Sequence, residues 1–303
     1  MSIPLVSVSI PTFNRAPLLR RSIESILNQT FTDFELIIVD DGSTDDTKSL
    51  IDSFHDPRIR YIRHETKKGL YPSRNTCIKN SVGTYIALQD SDDEWHPKKL
   101  GEEVALIQGT PDMIGGVFSQ IEKVYFSGIK AFVPPVNYTH TNNNLLTTIL
   151  RGDFYITMQA LLFKRACLEN IGEFDENFRV FGDGDFIVRL AEHYEFLYNP
   201  HVRVTLHVSE DSISRNKSDR RAAREQLFLK HRILYMQYPD ISAEFAYTLG
   251  HAFATVREYN FGKARDYARL AFITKPFRSK YLFLYIYAYI QYVLKRIVKN
   301  NIK

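Results

Sequence analysis

Four times in its first hundred or so residues, the chain passes from a short aliphatic run to a segment with helical periodicity. Residues 5–10, LVSVSI, precede 17–29, PLLRRSIESILNQ, in which Leu18, Leu19, Ile23, Ile26 and Leu27 share one helical face. Pro17 suits the first turn of that helix. FELIIVD (34–40) reads as a second strand, followed by a helix over 43–54 with Ser43 or Thr44 as its N-cap. IRYIRH (59–64) precedes a helix over 72–81, and TYIALQD (84–90) precedes one from Pro97 to Gln108. Strand alternating with helix in this way predicts a mainly parallel sheet with helices on both faces, an α/β fold. Beyond residue 114 the pattern loosens. Residues 115–126, 157–165 and 203–208 read as strands and 182–194 as a helix, a mixed extension of the same sheet.

In such a sheet ligands bind at the carboxyl ends of the strands. Polar clusters should therefore follow strands, and they do. Thr12 and Phe13 follow the first, Asp40 and Asp41 the second, and Asp90, Asp92 and Asp93 the fourth. Crowded carboxylates repel one another, and burying them is costly without a cation. A divalent ion with oxygen ligands relieves that cost, so the segment LQDSDDEW (88–95) suits a metal bound to a diphosphate. A solvated acidic turn is the plain alternative. For the segment DDGS (40–43) the alternative to binding a base or ribose is a turn that caps the next helix.

Charge divides the chain. Residues 1–211 carry 21 Lys and Arg against 29 Asp and Glu, whereas residues 212–303 carry 18 against 6. The expected organisation is a domain over 1–211 and a helical basic region over 212–303. Within the latter, the turn of a helical hairpin is expected at Asn260–Gly262. Two cysteines, Cys77 and Cys167, supply neither a disulfide framework nor a thiolate metal site, which suits a reducing cytoplasm. The first residues read as a strand, not a signal peptide.

Five motifs in order carry a resemblance: PTFNR (11–15), VDDGSTDDT (39–47), KGLYPSRN (68–75), LQDSDDEW (88–95) and IGEFDENFRVFGDGDFIVRLA (171–191). Together, over roughly residues 3–210, they resemble the family 2 glycosyltransferases with the A-type (GT-A), Rossmann-like fold. The resemblance implies that Pro11, Thr12 and Phe13 line the base and that Asp41, with Asp40, takes the base or ribose. It implies that Arg74 is the Arg of the Gly-x-x-x-Ala-Arg-Asn element, with Ser73 in place of Ala; a surface arginine is the alternative. Asp90, Asp92 and Asp93 match the Asp-x-Asp region, Asp92 and Asp93 as contacts for Mn2+ or Mg2+ and Asp90 for the ribose. Asp183 matches the catalytic base, although the usual preceding Glu is Gly182 and an aromatic position is Gly184; Asp185 is the second choice, and a helix cap is the alternative role for Asp183. His207 would add a metal or phosphate contact, or be a satisfied strand-end polar residue. His64, His96 and His201 receive no role.

The expected activity is inverting transfer from a nucleoside-diphosphate sugar, with UDP favoured, to a surface glycan or lipid-linked acceptor. A catalytically silent sugar-nucleotide-binding subunit of a glycan-assembly complex is the alternative, kept open by the altered element at 182–184. A nucleic-acid partner is not expected. The aromatic, Lys- and Arg-flanked segment 281–303 suits an interfacial helix on an anionic membrane, peripheral to the inner face of the cell membrane. A packed terminal helix or a homo-oligomer contact is the alternative.

Overall fold

A computed structural model of the protein describes residues 3–140, 145–208, 217–255 and 260–301. The chain divides into two compact units, one of residues 1–149 and 154–212, the other of 150–153 and 213–303.

In the first unit the alternation is realised as β1 (Val6–Thr12), α1 (Ala16–Leu27), β2 (Phe34–Asp40), α2 (Thr47–Asp52), β3 (Ile59–Arg63), α3 (Leu70–Asn80) and β4 (Tyr85–Leu88). The two-residue β5 (Glu94–Trp95) and α4 (Lys99–Ile107) follow, then β6 (Ile114–Tyr125), β7 (Lys130–Val133) and α5 (Leu145–Arg151), the last ending in the second unit. β8 (Leu161–Lys164), α6 (Leu168–Ile171), α7 (Gly182–His193) and β9 (Glu195–Val208) complete it. The strands form one sheet in the order β3-β2-β1-β4-β8-β6-β9-β5, with β7 on β6. β1 to β4 are parallel, β8 runs against β4 and β6, and β9 runs with β6.

β2 is buried along its whole length because both faces are covered. Leu36 and Ile38 join a core with Leu19, Ile23 and Ile26 of α1 and Leu100, Val104 and Ile107 of α4. Ile37 and Val39 turn the other way, onto Cys77 of α3. α7 meets the sheet through Phe186, whose ring lies 5.5 Å from Phe163 of β8 and stacks on Phe174 at 4.2 Å; Phe174 in turn lies 5.9 Å from Tyr71 of α3.

Two boundaries differ from expectation. α2 starts at Thr47, and neither Ser43 nor Thr44 caps it. The Ser43 hydroxyl instead accepts the Asn14 N–H at 2.9 Å, and the Thr44 N–H goes to Asn14 Oδ1 at 2.7 Å, tying the ends of β1 and β2 together. β9 starts eight residues before the expected strand. It tolerates Pro200 because its register with β6 slips between Ser119 and Gln120, leaving Pro200 in a bulge.

The second unit contains α8 (Lys217–Lys230), α9 (Arg232–Met236), α10 (Pro239–Thr255), α11 (Phe261–Thr274) and α12 (Ser279–Asn301). α10 and α11 are paired as expected, but the turn does not lie at Asn260–Gly262: Phe261 and Gly262 already belong to α11, and Asn260 caps it by accepting the Lys263 N–H at 3.0 Å. Residues 256–259 of their connection lie outside the described residues. Cys77 and Cys167 are free and buried.

Candidate active site

The parallel register places Thr12 beside Asp40, and the Asp41 N–H bonds the Thr12 carbonyl at 2.8 Å. Asp40 is buried and both its oxygens are engaged, Oδ1 by the Ser43 N–H at 2.7 Å and Oδ2 by the Tyr61 hydroxyl at 2.6 Å. It holds the turn and β3. Asp41 accepts the Lys68 N–H at 2.8 Å and the Gly69 N–H at 2.7 Å, and it pairs with His64 Nδ1 at 2.8 Å. This carboxylate therefore shapes the loop that enters α3. Pro11 and Thr12 are buried, Phe13 is half-buried, and Lys67 Nζ lies 3.8 Å from the centre of the Phe13 ring. The Thr12 hydroxyl is buried without a partner.

Arg74 is the centre of the arrangement. Its side chain is 1% exposed, so it is not a surface arginine. Nη2 donates to Asp90 Oδ1 at 2.8 Å and Nη1 donates to Asp183 Oδ1, so one guanidinium joins the strand-end acidic cluster to α7. Its Nε is buried without a partner. The planar fork makes such a double contact possible.

Asp90 Oδ2 and Asp93 Oδ2 share the amide of Gln159, the latter at 2.9 Å. Asp93 Oδ1 accepts the His207 backbone N–H at 3.0 Å. Asp92 Oδ2 accepts from Arg15, and the Arg21 guanidinium holds the Asp92 carbonyl at 2.5 Å. Burial, and then the charges of Asp90 and Asp92, push the Asp93 carboxyl well above the usual carboxylate range, against the opposing bonds from His207 and Gln159. The His207 ring is turned away from these carboxylates to Glu94, with Nε2 at 2.7 Å from Oε1.

Among the described residues no three acidic, imidazole or thiol groups converge as a ready-made metal cage. The donor set nevertheless suits a hard divalent ion: burial and the neighbouring charges of Asp90 and Asp92 both disfavour the Asp93 carboxylate, a cost such an ion would relieve, and Asp92 keeps 24% of its side-chain surface open. Ions of this kind are commonly held by one or two carboxylates and completed by substrate phosphates and water.

Asp183 is the second residue of α7, with 32% of its side-chain surface exposed. Burial raises its pKa, with Arg74 opposing the rise and Asp90 adding to it. Phe181, the residue before the helix, has φ 65°, a left-handed conformation that costs energy for a bulky residue and is found at functional sites. No side chain of Phe181 caps the helix. Asp185 does not join Asp183 at Arg74. It is fully buried and paired with Arg189 at 2.8 Å, whose guanidinium also binds the carbonyls of Ile171 and Glu173.

The sequence reading missed Gln159, Arg15, Arg21, His64 and Tyr71. His64 was legible in principle, because the β2–β3 register pairs Asp40 with Arg63 and so sets His64 beside Asp41. β8 runs against β4, so the turn before it, with Gln159, lies at the end of the sheet where β4 delivers Asp90.

The family model described as glycosyl transferase family 2 matches residues 7–167, over half the chain. The chain belongs to this family. Family 2 relatives include the Escherichia coli UDP-Glc:alpha-D-GlcNAc-diphosphoundecaprenol beta-1,3-glucosyltransferases WfgD, 38% identical over 103 residues (34% of this chain, 41% of that one), and WfaP, 35% identical over 135 residues (44% and 54%). The match thus spans about half or less of those relatives' own length. Among solved structures, S. aureus TarS 1-349 in complex with UDP superposes with a TM-score of 0.59 at 18% identity, covering 96% of this chain and 91% of that one. The mannosyltransferase PcManGT from Pyrobaculum calidifontis in complex with GDP-Man and Mn2+ gives a TM-score of 0.57 at 19% identity, covering 95% and 86%. These likenesses show the A-type glycosyltransferase fold.

Proposed function

We propose that this protein is an inverting glycosyltransferase that moves a sugar from a UDP-sugar to a hydroxyl of a lipid-linked glycan acceptor. The observation that carries the reading is the Arg74 bridge, in which one buried guanidinium joins Asp90, at the carboxyl end of β4, to Asp183 at the start of α7. The names of WfgD and WfaP support the choice of UDP and of a lipid-linked acceptor.

Asp183 is the base. A hydroxyl is a poor nucleophile, and a carboxylate held beside it takes its proton as attack proceeds. The raised pKa of Asp183 improves it as a proton acceptor at neutral pH. Asp185 is locked on Arg189, Asp90 is tied to Arg74 and Gln159, and Asp92 and Asp93 are assigned to the metal, which on this reading leaves Asp183 as base with no carboxylate nucleophile, and a single displacement then inverts the anomeric centre. Pro11, Thr12 and Phe13 line the base, and Asp41 orders the loop beside it. Asp92 and Asp93 would hold Mn2+ or Mg2+, which, when bound, offsets the charge of the departing diphosphate. A silent binding subunit is not favoured, because Asp183 remains paired to Arg74 despite the glycine before it.

The test is UDP release from UDP-sugars with manganese. Asp183→Asn is expected to lower turnover by about a thousandfold while binding donor as tightly as wild type. Equal turnover in the two proteins would refute the assignment.

We also propose that α12 lies on an anionic membrane surface. No helix among the described residues is long and apolar enough to cross a membrane. Phe283, Ile286, Tyr287, Ile290 and Leu294 are nonetheless exposed at helical spacing, just before Lys295 and Arg296. Co-sedimentation with vesicles containing phosphatidylglycerol, and not with pure phosphatidylcholine, is expected. Equal recovery with both lipids would overturn the charge argument.

A further inference from the structure

The glycine before Asp183 has a physical counterpart in α3. Tyr71 is buried in the first turn of that helix, and its phenol oxygen accepts the N–H of Gly182, the first residue of α7, at 2.8 Å. The first N–H groups of a helix have no partner within it and are ordinarily met by a capping side chain. Phe181 supplies none, so a residue from another helix does. The ring leaves no alternative at 182. A Cβ there would lie 2.5–2.8 Å from Cζ, Cε1 and Cε2 of Tyr71, closer than real contacts allow. Three residues further along α3, Arg74 holds the carboxylate of Asp183 itself.

We propose that Tyr71 is a positioning residue for the reaction: its oxygen caps α7, its ring fills the space of the missing side chain at 182, and together with Arg74 it sets the direction of the Asp183 carboxylate. This rests on the proposed function for the role of Asp183. Burial, reinforced by the charge of Asp183, raises the phenol pKa above its ordinary value, so the group stays neutral while it accepts the N–H.

Tyr71→Phe removes the oxygen and keeps the ring. Its N–H partner is left free, and the Asp183 carboxylate is drawn back to cap its own helix, where it becomes a weaker base. The expected result is a kcat of UDP release about tenfold lower, a donor KM within about twofold of wild type, and an acid limb of the pH profile displaced to lower pH. Retained kcat, or an acid limb where wild type has it, overturns the proposal. A second comparison guards against misfolding. Gly182→Ala is expected to be damaging in the wild-type background and to add no loss in the Tyr71→Ala background, whereas equal losses in both overturn the idea of one shared space. Asp183→Asn measured alongside separates two failures. Wild-type turnover in Asp183→Asn refutes the base and this inference with it, while an inactive Asp183→Asn beside a fully active Tyr71→Phe refutes only the role of Tyr71.

Discussion

Replacing Arg74 by Met retains an unbranched apolar side chain and removes the charge. Breaking a buried ion pair costs roughly 3–5 kcal/mol when the remaining charge is sealed from water. Here the partners Asp90 and Asp183 keep 29% and 32% of their side-chain surface open, so water can reach them once the guanidinium is gone. Discounted for that access, the loss is about 2 kcal/mol. For a unit of about 200 residues that is a fall in melting temperature of roughly 4–8 °C. A solvent-facing arginine would cost no more than about 0.5 kcal/mol, or roughly 1–2 °C. Activity is expected to fall further than stability, because the proposed base loses its anchor; misplacement of a reacting group by about 1 Å costs about a hundredfold. Arg74 also lowers the pKa of Asp183, so the acid limb of kcat/KM in Arg74→Met should move to higher pH. Arg74→Lys keeps a charge without the fork and should recover part of the stability with little of the turnover. The assay is UDP release across pH, beside thermal melting. A Met variant that melts within about 2 °C of wild type and turns over at its rate would refute the reasoning.

Asp93 gives a second prediction. A carboxyl whose folded pKa is raised contributes stability that is fully present below its unfolded value and lost as pH rises through the folded one. Each pH unit in that window costs up to about 1.4 kcal/mol, so wild type should lose stability relative to Asp93→Asn between about pH 4 and the folded pKa. Manganese should raise the melting temperature of wild type at pH 7.5 and leave it unchanged near pH 4; a manganese shift of the same size in Asp93→Asn would exclude Asp93 as its ligand. Glu102 acts in the opposite sense: Arg203 holds its pKa down at about 2, so its contribution is present above the unfolded value and lost as pH falls toward 2. In α4, Lys99 and Glu103 are both fully buried, 2.6 Å apart, with the Ser119 hydroxyl on Glu103 at 2.5 Å. Lys99→Met alone should destabilise by about 3–5 kcal/mol and the double variant Lys99→Met/Glu103→Leu by less than half as much. A double variant as unstable as the single one, by chemical denaturation, would contradict this.

The parallel half of the sheet was legible because β1, β2 and β4 are short apolar runs and α1 and α4 carry apolar faces at helical spacing, and the acidic clusters fell at strand ends as topology requires. β9 was less so, because Pro200 reads as a break when its bulge opposite β6 is unknown. α3 was located but its inward face was not readable, since it buries Ser73, Arg74 and Asn75 alongside Cys77 and Ile78. Hydrophobic periodicity carries no information about a helix whose buried side is polar. Asn75 shows why such a face is tolerated: it both accepts the Phe174 N–H at 2.9 Å and donates to the Phe174 carbonyl at 3.0 Å. Gln159 carries no signal of its own, because an amide acquires its meaning here from carboxylates far away in the sequence.

α3 touches the Asp41 carboxylate through Gly69 at its N-cap, the start of α7 through Tyr71, and both Asp90 and Asp183 through Arg74. About one and a half turns of one rod thus hold the proposed nucleotide end and the proposed base together. If Asp183 is the base as proposed, a different donor cannot be met by retilting that rod without also detuning proton removal, so drift in donor preference should concentrate in Phe13, Lys67 and their neighbours, whose adjustment leaves the rod where it is.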